Sequence, residues 1–224
     1  MRRTIGLALT LAATTSPLLG QRSALREVRD QGSAGLTFVV GQPLGEFRRN
    51  GAVAPGLTGF IVAPVGRSGA LGIRFDGSYL IYDATYQGYG VSTTSSIGTL
   101  ALGPQLTVGQ GPLRLYGFAT AGGSLFYSSA SYSGGCGCYD SNDFLIEGNL
   151  TTTTQLGAGV LITMSRRRTP VAIDIGVRDM RHDRVKYVPA GGIRDNGGGT
   201  FTVDRVETPV RLRVFQIGVS FGIR

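Results

Sequence analysis

The lengths of the connections constrain this chain more than any motif does. Eight stretches have strand character, most with period-2 alternation of apolar and polar residues: 33–41, 55–65, 69–83, 95–109, 112–127, 149–165, 169–181 and 208–223. Three connections are tight, GRSG at 66–69, GQGP at 109–112 and SRRRT at 165–169. The four between them are long, at 42–54, 84–94, 128–148 and 182–208. Antiparallel neighbours joined in this order put all tight turns at one end of a sheet and all long connections at the other. A sandwich would mix its connection lengths less regularly. The rhythm predicts an all-β fold, an eight-stranded antiparallel up-and-down barrel.

Alternation gives each strand two faces. In 70–83, Leu71, Ile73, Phe75, Tyr79 and Ile81 oppose Gly72, Arg74, Asp76, Ser78 and Tyr82. In 170–179, Val171, Ile173, Ile175 and Val177 oppose Ala172, Asp174, Gly176 and Arg178. In 113–121, Leu115, Gly117 and Ala119 oppose Arg114, Tyr116, Phe118 and Thr120. The 156–164 stretch puts Leu156, Ala158, Val160, Ile162 and Met164 on one face.

Which face meets water is not written in the alternation itself, because a soluble barrel and a membrane barrel share it. Three other features decide. The first is the start, MRRTIGLALTLAATTSPLLGQ, which reads as a secretory leader. Arg2 and Arg3 form its basic end, Ile5 to about Thr14 its apolar core, and Pro17 precedes a cleavage zone at Gly20 or Gln21. The second is strand length, enough for the roughly 9–11 residues a tilted strand needs to cross a bilayer. The third is the polar face, where Arg74, Asp76, Arg114, Asp174, Arg178, Arg211 and Arg213 sit among Gly, Ala and Thr. Mixed charges and small residues suit a crowded lumen where ions pair, and an eight-stranded barrel is just wide enough for side chains to fill. These seven residues are therefore expected to form a polar lumen network. The organisation is a leader at 1–20, a polar lead-in at 21–32 and the barrel at 33–224.

Composition agrees. Gly is frequent, at 36 of 224 residues, and charged residues are 16%, below the roughly 25% of soluble domains. The net charge is +8, and every basic residue but Lys186 is Arg. A basic chain raises nucleic acid as a partner, but no nucleic-acid motif accompanies the charge, so none is expected.

The chain ends in VFQIGVSFGIR, where Phe215, Ile217, Val219, Phe221 and Ile223 alternate with small or polar residues. With this ending the chain resembles the small eight-stranded outer-membrane β-barrel proteins of Gram-negative-type bacteria, over residues 33–224. Their last strand carries an assembly signal: polar, any, Gly, any, any, aromatic, any, aromatic or large apolar. Here Gln216, Gly218, Phe221 and Ile223 occupy it. The family usually ends on Phe, and this chain ends on Ile223-Arg224. The resemblance implies recognition by the barrel-assembly machinery, contact with outer-membrane lipid, and pairing of the last strand with the first. Val210, Leu212 and Val214 lie on the opposite parity to Phe215–Ile223, which predicts a bulge near Val214–Phe215.

Chemistry is sparse. The single His, His182, begins the last long connection beside Arg181 and Asp183, with no Ser in the next twenty residues. A nucleophile needs a base within hydrogen-bond reach, so His182 is read as a solvated surface residue and no catalytic residue, cofactor or metal is assigned. Cys136 and Cys138 lie in GGCGCYD. A local disulfide is the first reading, then free thiols or an intermolecular bridge, with metal last. Tyr86, Tyr89, Tyr127, Tyr132 and Tyr139 are expected in the aromatic girdle where strands leave a membrane. Arg178, Arg181, Arg184, Arg194 and Arg205 raise contact with anionic lipid, balanced by Asp179, Asp183, Asp195 and Asp204. The sequence names no external ligand. The expected role is structural or surface-interacting and non-enzymatic. A narrow channel, a lipid-modifying enzyme and a secreted lipocalin-like carrier stand as alternatives.

Overall fold

The computed structural model describes residues 32–66, 69–86, 91–109, 111–132, 142–165, 169–196 and 200–223. The leader, nearly all of the lead-in, and Cys136 and Cys138 lie outside these residues. In chain order the strands are β1 (Gly32–Leu44), β2 (Ala54–Val65), β3 (Leu71–Tyr86), β4 (Val91–Val108), β5 (Leu113–Tyr132), β6 (Asn142–Ser165), β7 (Val171–Tyr187), β8 (Ile193–Asp195), β9 (Phe201–Val203) and β10 (Val206–Ile223). A single helical turn, α1 (Phe47–Asn50), interrupts the first long connection. Eight strands close an antiparallel barrel in the order β1-β10-β7-β6-β5-β4-β3-β2, while β8 and β9 form a separate small ribbon. The all-β, eight-stranded up-and-down barrel is therefore present.

Closure explains the clean end of the chain. β10 pairs with β1 from Ile223↔Gly32 to Arg211↔Leu44. Its backbone groups have partners on both sides, since β7 pairs with it as well. A closed ladder leaves no edge to fray. The tight turns are closed by glycines in conformations that other residues adopt at a cost, such as Gly109 at φ 108° and Gly111 at φ 90°.

The bulge expected near Val214–Phe215 is absent. The register between β10 and β7 shifts instead at Pro209/Val210. Below it parity is continuous: Val210, Leu212, Val214, Gln216 and Ser220 are buried, and Arg211, Arg213, Phe215, Ile217, Val219, Phe221 and Ile223 are exposed. The strand changes which of its faces is apolar, not its phase. Sequence alternation cannot separate these two events, because both put apolar residues on opposite parities.

At the end with long connections, loops fold over the mouth. The backbone N–H of Ala52 donates to the Tyr82 carbonyl at 3.2 Å, and that of Ala190 to the Asn50 carbonyl at 2.7 Å. The Gly191 N–H donates to the Asp83 carboxylate at 3.1 Å.

Candidate functional site

The interior divides into two halves of opposite chemistry. Toward the tight turns it is ionic. Arg74, which sits two residues before Asp76 and therefore on the same strand face, donates to it from Nε at 2.6 Å and from Nη2 at 3.0 Å. Its Nη1 donates to Gln105 Oε1 at 2.9 Å. Arg178 on β7 reaches Asp76 at 3.4 Å, Gln155 Oε1 at 3.1 Å, and the Gln216 amide oxygen from Nε at 3.1 Å. Gln216 Nε2 donates to the Tyr116 hydroxyl at 2.8 Å and to Asp174 at 3.2 Å, and Tyr116 itself donates to Asp174 at 2.6 Å. Two Arg and two Asp give the network no net charge, which is the condition for burying ions at tolerable cost.

Aromatic rings hold the cations from the sides. The Arg74 guanidinium lies 4.0 Å from the Phe60 ring centroid and 4.3 Å from that of Phe118, so it is sandwiched. Both rings lie against the wall where the facing strand has Gly: Gly35 under Phe60 and Gly157 under Phe118 leave the space a Cβ would take. This is why small residues face the lumen beside the large ones.

Toward the long connections the interior is apolar. Val39, Leu80, Tyr82, Ile97, Phe126, Met180, Val185, Tyr187, Val210, Leu212 and Val214 form one buried cluster, closed from above by Phe47 of α1. Phe47 meets Tyr82 and Tyr187 edge-on, with centroids 5.6 and 5.3 Å apart. The tyrosine hydroxyls find partners at the lid: Tyr82 donates to the Val188 carbonyl at 3.0 Å, and Tyr187 pairs with Thr208 Oγ1 at 3.1 Å. His182 belongs to this half. It is 4% exposed, with its ring edge-on to Phe126 at 5.2 Å. Neither ring nitrogen has a hydrogen-bond partner among the described residues. The surface assignment of His182 is thus corrected: its neighbours in sequence are charged, but its parity matches Arg178 and Met180 and points it inward.

The structure gathers Arg74, Asp76, Asp174 and Arg178 into the network. Arg114 also faces inward but stands apart, beside a cavity of about 70 Å³ at the tight-turn rim shared with Gln105, Thr107, Leu161 and Ser220. Arg211 and Arg213 do not belong to the lumen. Both are exposed on the outer face of β10, above Phe215, because the lumen-facing parity there is Val210, Leu212 and Val214. Sequence reasoning missed Gln105, Gln155 and Phe60, placed Tyr116 and Phe118 on the face of Arg114 without giving them a role, and read Gln216 only as part of the strand ending. Their inward parity was a usable signal; their convergence depends on cross-strand register.

The outer surface inverts the inner one. Leu36, Phe38, Leu57, Ile61, Ile73, Phe75, Leu102, Leu106, Leu115, Leu156, Ile175, Ile217 and Val219 are all exposed around the turn half. A belt this continuous has no account in water and is what a bilayer requires. Tyr79 and Tyr127 mark its upper edge on one side, with centroids 6.3 Å apart and the Tyr79 hydroxyl 3.0 Å from Ser96 Oγ. Tyr86, further along β3, is 72% exposed. Tyr89 and Tyr139 lie outside the described residues. Beyond the belt Arg205 Nε donates to Glu147 at 2.6 Å and holds that carboxyl below its usual range.

An even number of antiparallel strands, short turns at one rim, long connections at the other, an apolar belt and a tyrosine edge are together the outer-membrane type of barrel. The chain is a transmembrane β-barrel of that kind. Solved structures of the same architecture are similar to it. Neisserial surface protein A matches at 14% identity and TM-score 0.48, over 84% of this chain and 94% of its own. The attachment invasion locus protein Ail of Yersinia pestis matches at 11% and 0.44, over 86% and 97%. A major outer membrane protein of Thermus thermophilus matches at 14% and 0.40, over 85% and 99%. No protein-family model matches the sequence, and no curated protein matches it.

Proposed function

We propose that this barrel is a closed, non-catalytic element of the outer membrane whose work is done on its outer surface rather than through its lumen. The observation that carries this reading is the stacked filling: an ionic network in one half, an aromatic core in the other and Phe47 across the mouth. Water crossing the interior would have to displace both. The long connections face the outside in this reading, and the tight turns face the periplasm. Gln216, Gly218, Phe221 and Ile223 serve the barrel-assembly machinery before β10 closes against β1.

The surroundings of His182 support a non-catalytic role. An acyl-transfer site needs a nucleophile bonded to its base, and neither His182 nitrogen has a partner among the described residues. The test is conductance in planar bilayers. The wild type is expected to show no steps, and Arg74→Ala with Arg178→Ala is expected to open leak. Steady wild-type conductance would favour the channel reading. Lipid hydrolysis lost in His182→Ala would favour the enzyme.

A further inference from the structure

The belt ends differently on its two sides. Over β3–β5 it ends in Tyr79 and Tyr127. Over β7 and β10 it ends in charge: Val177 is followed on the outer face by Asp179 and Arg181, and Phe215 by Arg213 and Arg211. Arg211 stands directly opposite Arg181 in the register, and Arg213 opposite Asp179. Like charges in direct cross-strand pairs destabilise a sheet. Asp179 relieves only part of this. It takes two hydrogen bonds from Arg211, at 3.2 and 2.7 Å, and lies 3.7 Å from Arg181. Arg213 makes no hydrogen bond or ion pair with the described residues. Three Arg on one Asp leave an excess of two positive charges.

That excess is confined to the boundary. Further from the belt the exposed charges on the same strands balance, Asp183 and Glu207 against Arg184 and Lys186, and Asp183 accepts from Thr152 on β6. Immediately on the other side lie exposed Phe215 and Val177, and exposed Leu156 flanks the charges, opposite Asp179 in the register. The patch is thus cationic at headgroup height and apolar at acyl-chain height. A phosphate monoester carries about −1.5 to −2 charges and three acceptor oxygens, and Arg forks bind such oxygens in pairs.

We infer that Arg181, Arg211 and Arg213 form a binding site for a membrane lipid bearing a phosphate monoester, with its chains against Val177 and Phe215. The site rests on the membrane reading above and goes beyond it in naming the lipid chemistry. The site is one-sided, so it gives the barrel a preferred neighbour in the bilayer.

Native mass spectrometry of the detergent-held barrel, titrated with bisphosphorylated lipid A and with its dephosphorylated form, tests this. Wild type is expected to retain the phosphorylated lipid roughly tenfold or more better, the effect of one charge-assisted hydrogen bond. Arg213→Gln, which removes no internal bond, is expected to lose most of that preference, and R181Q/R211Q/R213Q all of it. R48Q/R49Q, which removes exposed charge elsewhere, is expected to keep it. Equal retention of the two lipids, equal loss in R48Q/R49Q, or displacement by millimolar inorganic phosphate would overturn the site. Each variant is first checked for the boiling-dependent gel shift of a closed barrel. A wild-type chain that never shows that shift would overturn the membrane reading as well. A shifted barrel indifferent to phosphorylation would overturn the lipid site alone.

Discussion

The turn half and the loop half of this barrel solve one packing problem with opposite chemistry. In the turn half the outside faces lipid, so Arg74, Asp76, Asp174 and Arg178 are turned inward and must satisfy one another. In the loop half the outer face carries Asp179, Arg181, Arg211 and Arg213, and the inside is Leu80, Phe126, Met180 and Leu212. Each half is an ordinary solution for its surroundings. The ionic interior gains little net stability, because desolvation offsets its Coulombic attraction. The apolar interior gains in proportion to area. The first half should therefore be brittle to loss of one partner, and the second should fail by graded cavity formation.

The sharpest break is Asp76→Ala. It strands Arg74 and Arg178 in the lumen with only Asp174 left to balance them, and is expected to cost about 3–5 kcal/mol. Urea unfolding in detergent, followed by the gel shift, reads this; a cost under about 1 kcal/mol would mean the network is hydrated. Leu212→Ala in the loop half should cost about 2–4 kcal/mol through its cavity. Its hallmark is insensitivity to pH and salt, and a salt-dependent loss would dissolve the contrast between the halves. Smallest is Glu147→Gln, outside both. An exposed ion pair contributes at most about 1 kcal/mol, less in salt. The Glu147 carboxyl is lowered by Arg205, so its contribution is present above the usual Glu range and lost as pH falls through the lowered value. Wild type and E147Q should therefore differ slightly at neutral pH and converge in acid. Divergence in acid would reverse the sign and refute the pairing.

Some of this was readable in residue order. Arg74 and Asp76 are two apart, so one strand face holds both, and the pairing of a guanidinium with a carboxylate follows. The connection lengths were enough for the number and order of the barrel strands, but not for the β8–β9 ribbon inside the last long connection. Arg211 and Arg213 were misread because charge on an alternating strand was taken to mean lumen, although their parity is that of Phe215 and Ile217. His182 was misread because RHDRVK looks solvated when the chain is read linearly.

Residue order alone determined the period-2 faces, the eight strands and the side on which their connections are short. Those properties are local: a strand's two faces and a turn's length depend on neighbours along the chain. The tertiary structure decided which face is inside at each height, and which Gln, Tyr and Phe meet Arg74 and Arg178. These depend on register between strands distant in sequence and on where the membrane boundary cuts the barrel, which a linear alternation does not encode.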